Sequence, residues 1–220
     1  YAGVPFESSV DSEGQQAMTL MMVMSGIDRD RCPERQEMQE IWERHRVSPR
    51  EVCFFWHPRK DSAYFNMTSI SSLNGLDPVD LTKATIECRK QAWAILDVFN
   101  SHMPGFENAY IAQTAPTIGV RETRRIKGQY ILSAEDVLAS REFDDSIARA
   151  SCPIDIHPRN DRPAFYKVLD KSYSIPYRTL ITNEIANLLA TGRCISTDQE
   201  AHSSVRRMAP GFALGEAAGI

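Results

Sequence analysis

The sequence predicts an α+β fold, a mixed or antiparallel sheet flanked by helices, and three observations predict it. One long amphipathic helix, marked at both ends, occupies the stretch from Asp77 to Met103. Short strand-like runs lie before and after it and do not alternate with helices one for one. Eleven glycines fall at 3, 14, 26, 75, 105, 119, 128, 192, 211, 215 and 219, and no three give the G-x-G-x-x-G spacing of a dinucleotide-binding strand, turn and helix.

The elements follow in order. Tyr1–Gln16 is polar and without a period. Residues 17–27 (AMTLMMVMSGI) are a nearly continuous apolar run whose length suits a buried strand. Pro33 is expected in the first turn of a helix, with Glu34 and Glu37 near its positive end and Met38, Ile41 and Trp42 on its apolar side. Residues 51–57 and 63–70 read as strands, and Asn74-Gly75 as a turn. In the long helix, Asp77 is the N-cap, Pro78 is N1, and Asp80 stands at N3. Leu81, Ala84, Cys88, Ala92, Ile95, Leu96, Phe99 and Met103 form one stripe, and Pro104-Gly105 ends it.

Beyond the helix, 109–115, 118–126, 128–132 and 152–157 are strand candidates, two more lie within 165–181, and Ser133 opens a short helical turn. Residues 187–191 are expected as a short apolar strand. A polar loop and a small-residue helix from about Pro210 to Ile220 complete the reading.

Composition excludes several classes. The chain has 220 residues, long enough to bury a core without disulfide or metal. Net charge is −4, so there is no whole-chain basic footprint for nucleic acid. No apolar run approaches the ~18–20 residues of a membrane span. The five cysteines, at 32, 53, 88, 152 and 194, contain no C-x-x-C pair, and the histidines contain no H-x-x-x-H spacing. Reduced thiols in the cytoplasm and no metal site are the expectation.

Three segments carry candidate chemistry. In GVRETRRIKG (119–128), Arg121, Arg124, Arg125 and Lys127 concentrate positive charge. Arginine forks bind carboxylates and phosphates in bidentate fashion, while a solvated edge strand paired with carboxylates explains the same residues. As a strand, Arg121 and Arg125 share a face and Arg124 takes the other. In CPIDIH (152–157), Asp155 and His157 share a face, where a carboxylate orients an imidazole for proton transfer or simply satisfies a structural histidine. In the last segment, Gly211, Gly215 and Gly219 recur every four residues and clear one helix face for close packing or a flat ligand. No nucleophile elbow joins Cys194, Asp198 and His202 into a hydrolytic triad.

The chain resembles the FAD-dependent oxidoreductase family. The resemblance rests on AGVPFE (2–7), QAMTLMMVMSGID (16–28), the run from Pro104 to Leu138 with its GVRETRRI, FDDSIARASCPIDIH (143–157), YSIPYRTLI (173–181) and the segment from Asn187 to Gly219. It implies that residues 1–178 are the substrate domain and 179–220 the C-terminal strand-helix segment completing an FAD-binding domain. The glycine-rich Rossmann unit is then expected upstream of Tyr1, and the chain alone is expected to be inactive. Ser203-Ser204 and Ala209-Pro210-Gly211-Phe212 depart from the family's usual loop residues.

The resemblance implies hydride transfer from an organic small molecule to the flavin; charge and hydropathy, as above, leave neither nucleic acid nor membrane as an expected partner. It places Arg121, His157 and His202 in catalysis and Arg124, Arg125 and Tyr177 at the substrate. It places Gly192, Arg193, Cys194, Ser196, Arg206, Pro210, Gly211, Phe212 and Ala213 at FAD. The alternative from another class is a cofactor-free module whose Arg-rich strand binds an anionic ligand or partner.

Overall fold

The computed structural model describes residues 2–10, 15–157 and 164–220. In chain order these form β1 (Phe6–Ser8), β2 (Met22–Ser25), α1 (Arg35–His45), β3 (Phe54–Trp56), β4 (Ser62–Phe65) and α2 (Pro78–His102). There follow β5 (Tyr110–Thr114), β6 (Arg124–Ile126), α3 (Ala134–Leu138), β7 (Ser146–Ala150), β8 (Ile154–Ile156), β9 (Phe165–Lys167), β10 (Tyr173–Pro176), α4 (Gln199–Val205) and α5 (Met208–Gly219). The fold is α+β and its strand pairs are antiparallel. The chain divides into two compact units, Ala17–Val120 and a second made of Tyr1–Gln16 with Arg121–Ile220.

The Ala17–Val120 unit is a four-stranded sheet, β3-β4-β2-β5, with α1 and α2 on one face. The apolar run at 17–27 supplies the central strand β2, buried on both sides of Val23 through Met22 and Met24. α2 follows its sequence signals closely. The Asp77 carboxylate accepts the N–H groups of Val79 (2.7 Å) and Asp80 (3.2 Å), and Ala84, Cys88, Ala92, Ile95, Leu96 and Phe99 are buried. Asp80 does not close a capping box; its carboxylate instead accepts the Asn74 N–H at 3.0 Å and so pins the preceding turn.

The helix near Pro33 begins two residues later than expected. Glu34 is its N-cap and Arg35 its first residue, so Pro33 precedes the helix rather than filling its first turn. Gly105 ends the α2 region with φ +84°, where a Cβ would lie 2.5 Å from the Asp28 carbonyl. Only glycine fits that turn.

The other unit holds three two-stranded pairs, β1-β6, β7-β10 and β8-β9, with α3, α4 and α5. Its core gathers Leu132, Val137, Ile154, Tyr173, Ile175 and Leu180 with Ile195, Val205 and Leu214. α3 carries a complete capping box between Ser133 and Asp136. Three expectations are corrected here. Residues 128–132 form no strand; Gly128 and Leu132 make isolated bridges to Thr182 and Thr197. Residues 187–191 form no strand; Leu189 makes one isolated bridge to Ile181, because no further partner extends alongside. The expected polar loop contains α4, capped by Asp198, whose carboxylate accepts the Ala201 N–H at 2.8 Å. α5 starts at Met208, so Pro210 lies inside its first turn.

Candidate active site

All the sequence-predicted site residues fall in the unit of Tyr1–Gln16 and Arg121–Ile220. Only Arg124–Ile126 of the Arg-rich segment is a strand, and Arg121 precedes it in irregular chain. Arg121 and Arg125 are buried, while Arg124 is exposed with its guanidinium 5.1 Å from the Phe6 ring centre. The segment therefore offers no continuous basic face. Arg125 is held by the Thr197 carbonyl (3.1 Å), the Ser9 hydroxyl (3.1 Å) and the Glu7 carboxylate (3.4 Å).

β8 brings Asp155 and His157 together as the spacing predicts, with Nε2 3.5 Å from the carboxylate. The structure adds two arginines from the end of α4. Arg207 reaches the same Asp155 oxygen at 2.6 Å, and Arg206 donates to the Asp155 backbone carbonyl at 3.0 Å. Burial pushes the Asp155 carboxyl up, but His157, then Arg207 and Arg206, more than offset it and hold its pKa at about 2. Gln16 joins the group: its Oε1 accepts the His157 N–H at 3.0 Å. The Ser203 hydroxyl accepts the Asp155 N–H at 3.1 Å, and Ser204 bonds the Tyr173 hydroxyl at 2.7 Å.

His202 has no exposed surface. Its Nε2 lies 3.0 Å from the Arg193 carbonyl and so holds the Gly192–Cys194 turn. Burial, then the charge of Arg125, drives its pKa down to about 3, so the ring is neutral. It acts on the turn rather than meeting solvent. Within that turn Gly192 has φ +66° with open space where a Cβ would be, and Arg193 and Cys194 are exposed. Asp198 caps α4 and also accepts the Ala134 N–H at 2.7 Å, so neither it nor His202 is arranged as a partner for Cys194.

The remaining predicted residues divide. The Ser196 hydroxyl is buried and accepts the Gly128 N–H at 3.0 Å. Tyr177 is half-buried against the core of this unit. In α5, Pro210 is buried, Gly211 and Ala213 are half-buried, and Phe212 is 73% exposed. Added Cβ atoms at Gly211, Gly215 and Gly219 would meet nothing, so close helix packing does not account for that stripe. A separate cleft of about 770 Å³, lined by residues including Glu142, Arg149, Lys167 and Asp170, contains none of the predicted residues.

One buried charged group was not legible in the sequence. Glu122 is buried, and its Oε1 accepts the Gln16 N–H (2.9 Å) and the Gln199 side-chain amide (3.0 Å). These partners lie 106 and 77 positions away, and only the T-R-R context beside it hinted at a charged cluster.

The arrangement defines an α+β protein with a cationic, glycine-opened C-terminal segment beside a carboxylate–imidazole pair. A family model described as FAD dependent oxidoreductase matches residues 1–220, and the chain belongs to that family. No curated protein and no solved structure matches the chain.

The residues present fit the flavin cofactor this family takes. Among the described residues, buried Nε atoms of Arg206 and Arg207 have no hydrogen-bond partner. The N-cap residue of α5, Arg207, makes no side-chain cap, so the helix start retains N–H groups suited to an electron-rich oxygen. Gly192 and Gly211 leave open space beside the backbone.

Proposed function

We propose that the chain supplies the substrate domain, residues 1–178, and the cofactor-completing segment, 179–220, of an FAD-dependent oxidoreductase acting on a small organic molecule. The observation that carries this reading is the juxtaposition in one unit of the Asp155–His157 pair with Arg206, Arg207 and the uncapped start of α5. The glycine-rich phosphate loop, missing from the spacing of all eleven glycines, belongs to a segment outside these 220 residues. FAD, when bound, supplies hydride acceptance from the substrate and onward electron transfer.

This chain's residues supply the rest. Gly192, Arg193 and Cys194 offer backbone and open space to the cofactor, with Ser196 supporting the turn from within. Arg206 and the first turn of α5, with Pro210, Gly211, Phe212 and Ala213, place positive potential where negative charge develops. Asp155 keeps His157 oriented so that it takes a proton from the substrate. Arg121 anchors a polar or anionic substrate group, and Arg124 and Tyr177 are separate candidate substrate contacts, while Arg125 is engaged by Thr197, Ser9 and Glu7. His202 serves through the Arg193 carbonyl. Five free cysteines accord with a reducing, cytoplasmic setting.

The test is an FAD titration of the 220-residue chain, followed by flavin fluorescence and visible spectrum, alone and with the upstream glycine-rich segment restored. Binding that appears or strengthens with that segment supports the reading. An extended chain that holds no FAD overturns it. In the intact enzyme, Arg121→Ala and His157→Ala are each expected to lower turnover at least tenfold, and unchanged turnover in both removes their assignment.

A further inference from the structure

Two buried acceptors face one another beneath the Gly192–Cys194 turn. His202 Nε2 lies 3.0 Å from a backbone carbonyl, which can only accept, so Nε2 carries the ring proton. Nδ1 of the neutral ring is then a bare lone pair. It lies 3.9 Å from Glu122 Oε2, and neither atom has a hydrogen-bond partner among the described residues. Arg125 Nη1 stands 3.7 Å from the same oxygen. Each distance is too long for a direct hydrogen bond. Glu122 is unable to swing away, because its other oxygen is fixed by Gln16 and Gln199.

We propose that one internal water bridges Glu122 Oε2 and His202 Nδ1, and that Glu122 is thereby a positioning residue for the Gly192–Cys194 turn. The water gives one hydrogen to each lone pair and accepts from Arg125 Nη1, making the roughly three bonds usual for a buried water. A second proton on the ring would satisfy Nδ1 but would add positive charge among Arg125, Arg193 and Arg206, with Glu122 as the facing carboxylate. With the water in place the ring is locked as the Nε2–H tautomer, and its only N–H is spent on the Arg193 carbonyl. The relay runs Glu122, water, His202, Arg193. That the turn matters for a cofactor rests on the reading above; the bridge itself does not.

The experiment is histidine side-chain ¹⁵N NMR of the flavin-free 220-residue chain, so it is decided whether or not FAD binds. The expected result is a neutral His202 with its proton on Nε2 across about pH 5 to 8, Nδ1 accepting a hydrogen bond, and magnetisation transfer from a bound water to the ring. Glu122→Ala is expected to lose the bound-water contact at Nδ1 and to raise alkylation of exposed Cys194 several-fold. Glu122→Gln, which still presents a polar group to the water, restores both. A doubly protonated ring at pH 7, a proton on Nδ1, or a folded Glu122→Ala protein with unchanged water contact at Nδ1 and unchanged Cys194 rate overturns the proposal. Should Glu122→Ala fail to fold, the wild-type tautomer and water contact decide.

Discussion

His202 and Asp155 both make acid costly to the folded protein, over different ranges. The His202 pKa falls from an unfolded value near 6.5 to about 3, first through burial and then through Arg125. The unfolded chain therefore binds the extra proton between those values, and stability drops as pH falls below about 6.5. His202→Gln, which retains an N–H for the Arg193 carbonyl, is expected to flatten that part of the curve, read as denaturant midpoint against pH. Asp155 has its pKa held at about 2, so its contribution is present above about pH 4 and is lost as pH falls towards 2. Asp155→Asn is expected to cost on the order of 2 kcal/mol at neutral pH and to remove the acid dependence in that lower window. An unchanged lower limb in Asp155→Asn contradicts the ion cluster around it. The i, i+2 spacing made the Asp155–His157 pair legible. Arg206, Arg207, Gln16 and Glu122 were not legible as its surroundings, since they arrive by chain crossings that no local pattern records.

At the scale of elements, α2 and α3 were readable because helix ends are written locally. Asp77, Pro78 and the apolar stripe fix α2 without reference to the rest of the chain. Asp77→Ala removes both cap hydrogen bonds and is expected to cost about 1 kcal/mol, measured as a shift in chemical-denaturation midpoint. No shift would mean that Pro78 and the Asp80–Asn74 contact suffice to hold the helix start. The strand expected at 187–191 was misleading for the opposite reason. Apolar residues make a strand only with a partner, and Leu189 has a single bridge. α4 carried a signal, Asp198 followed by Gln-Glu-Ala, which is an N-cap and first helical turn. Its small size and the serines after it made it resemble a loop. The glycine stripe of α5 was legible as a face cleared of side chains, and the structure leaves that face open.

At the scale of the whole molecule, the two compact units have separate cores and can be followed separately. All three tryptophans, at 42, 56 and 93, belong to Ala17–Val120. Phe99 sits fully buried there, edge-on to Phe65 and Phe106 and tilted against Trp42. Phe99→Ala is expected to destabilise that unit by about 3–5 kcal/mol, lowering the transition seen by tryptophan fluorescence. The His202→Gln effect is expected in far-UV dichroism and not in tryptophan emission. A single coincident transition for every probe and variant would show instead that the units unfold as one.

Thr19 and Gly119, near the two ends of the Ala17–Val120 unit, exchange both backbone hydrogen bonds, at 3.2 and 2.7 Å. Chain therefore enters and leaves this unit through adjacent doorways, about 5.5 Å apart at the Cα atoms. A unit with that geometry behaves as a cassette. It can be lengthened or shortened while Gln16 and Arg121 remain joined across a short gap. Change in the length of this block is then open to the chain while the residues of the candidate site, all in the other unit, keep their sequence neighbours.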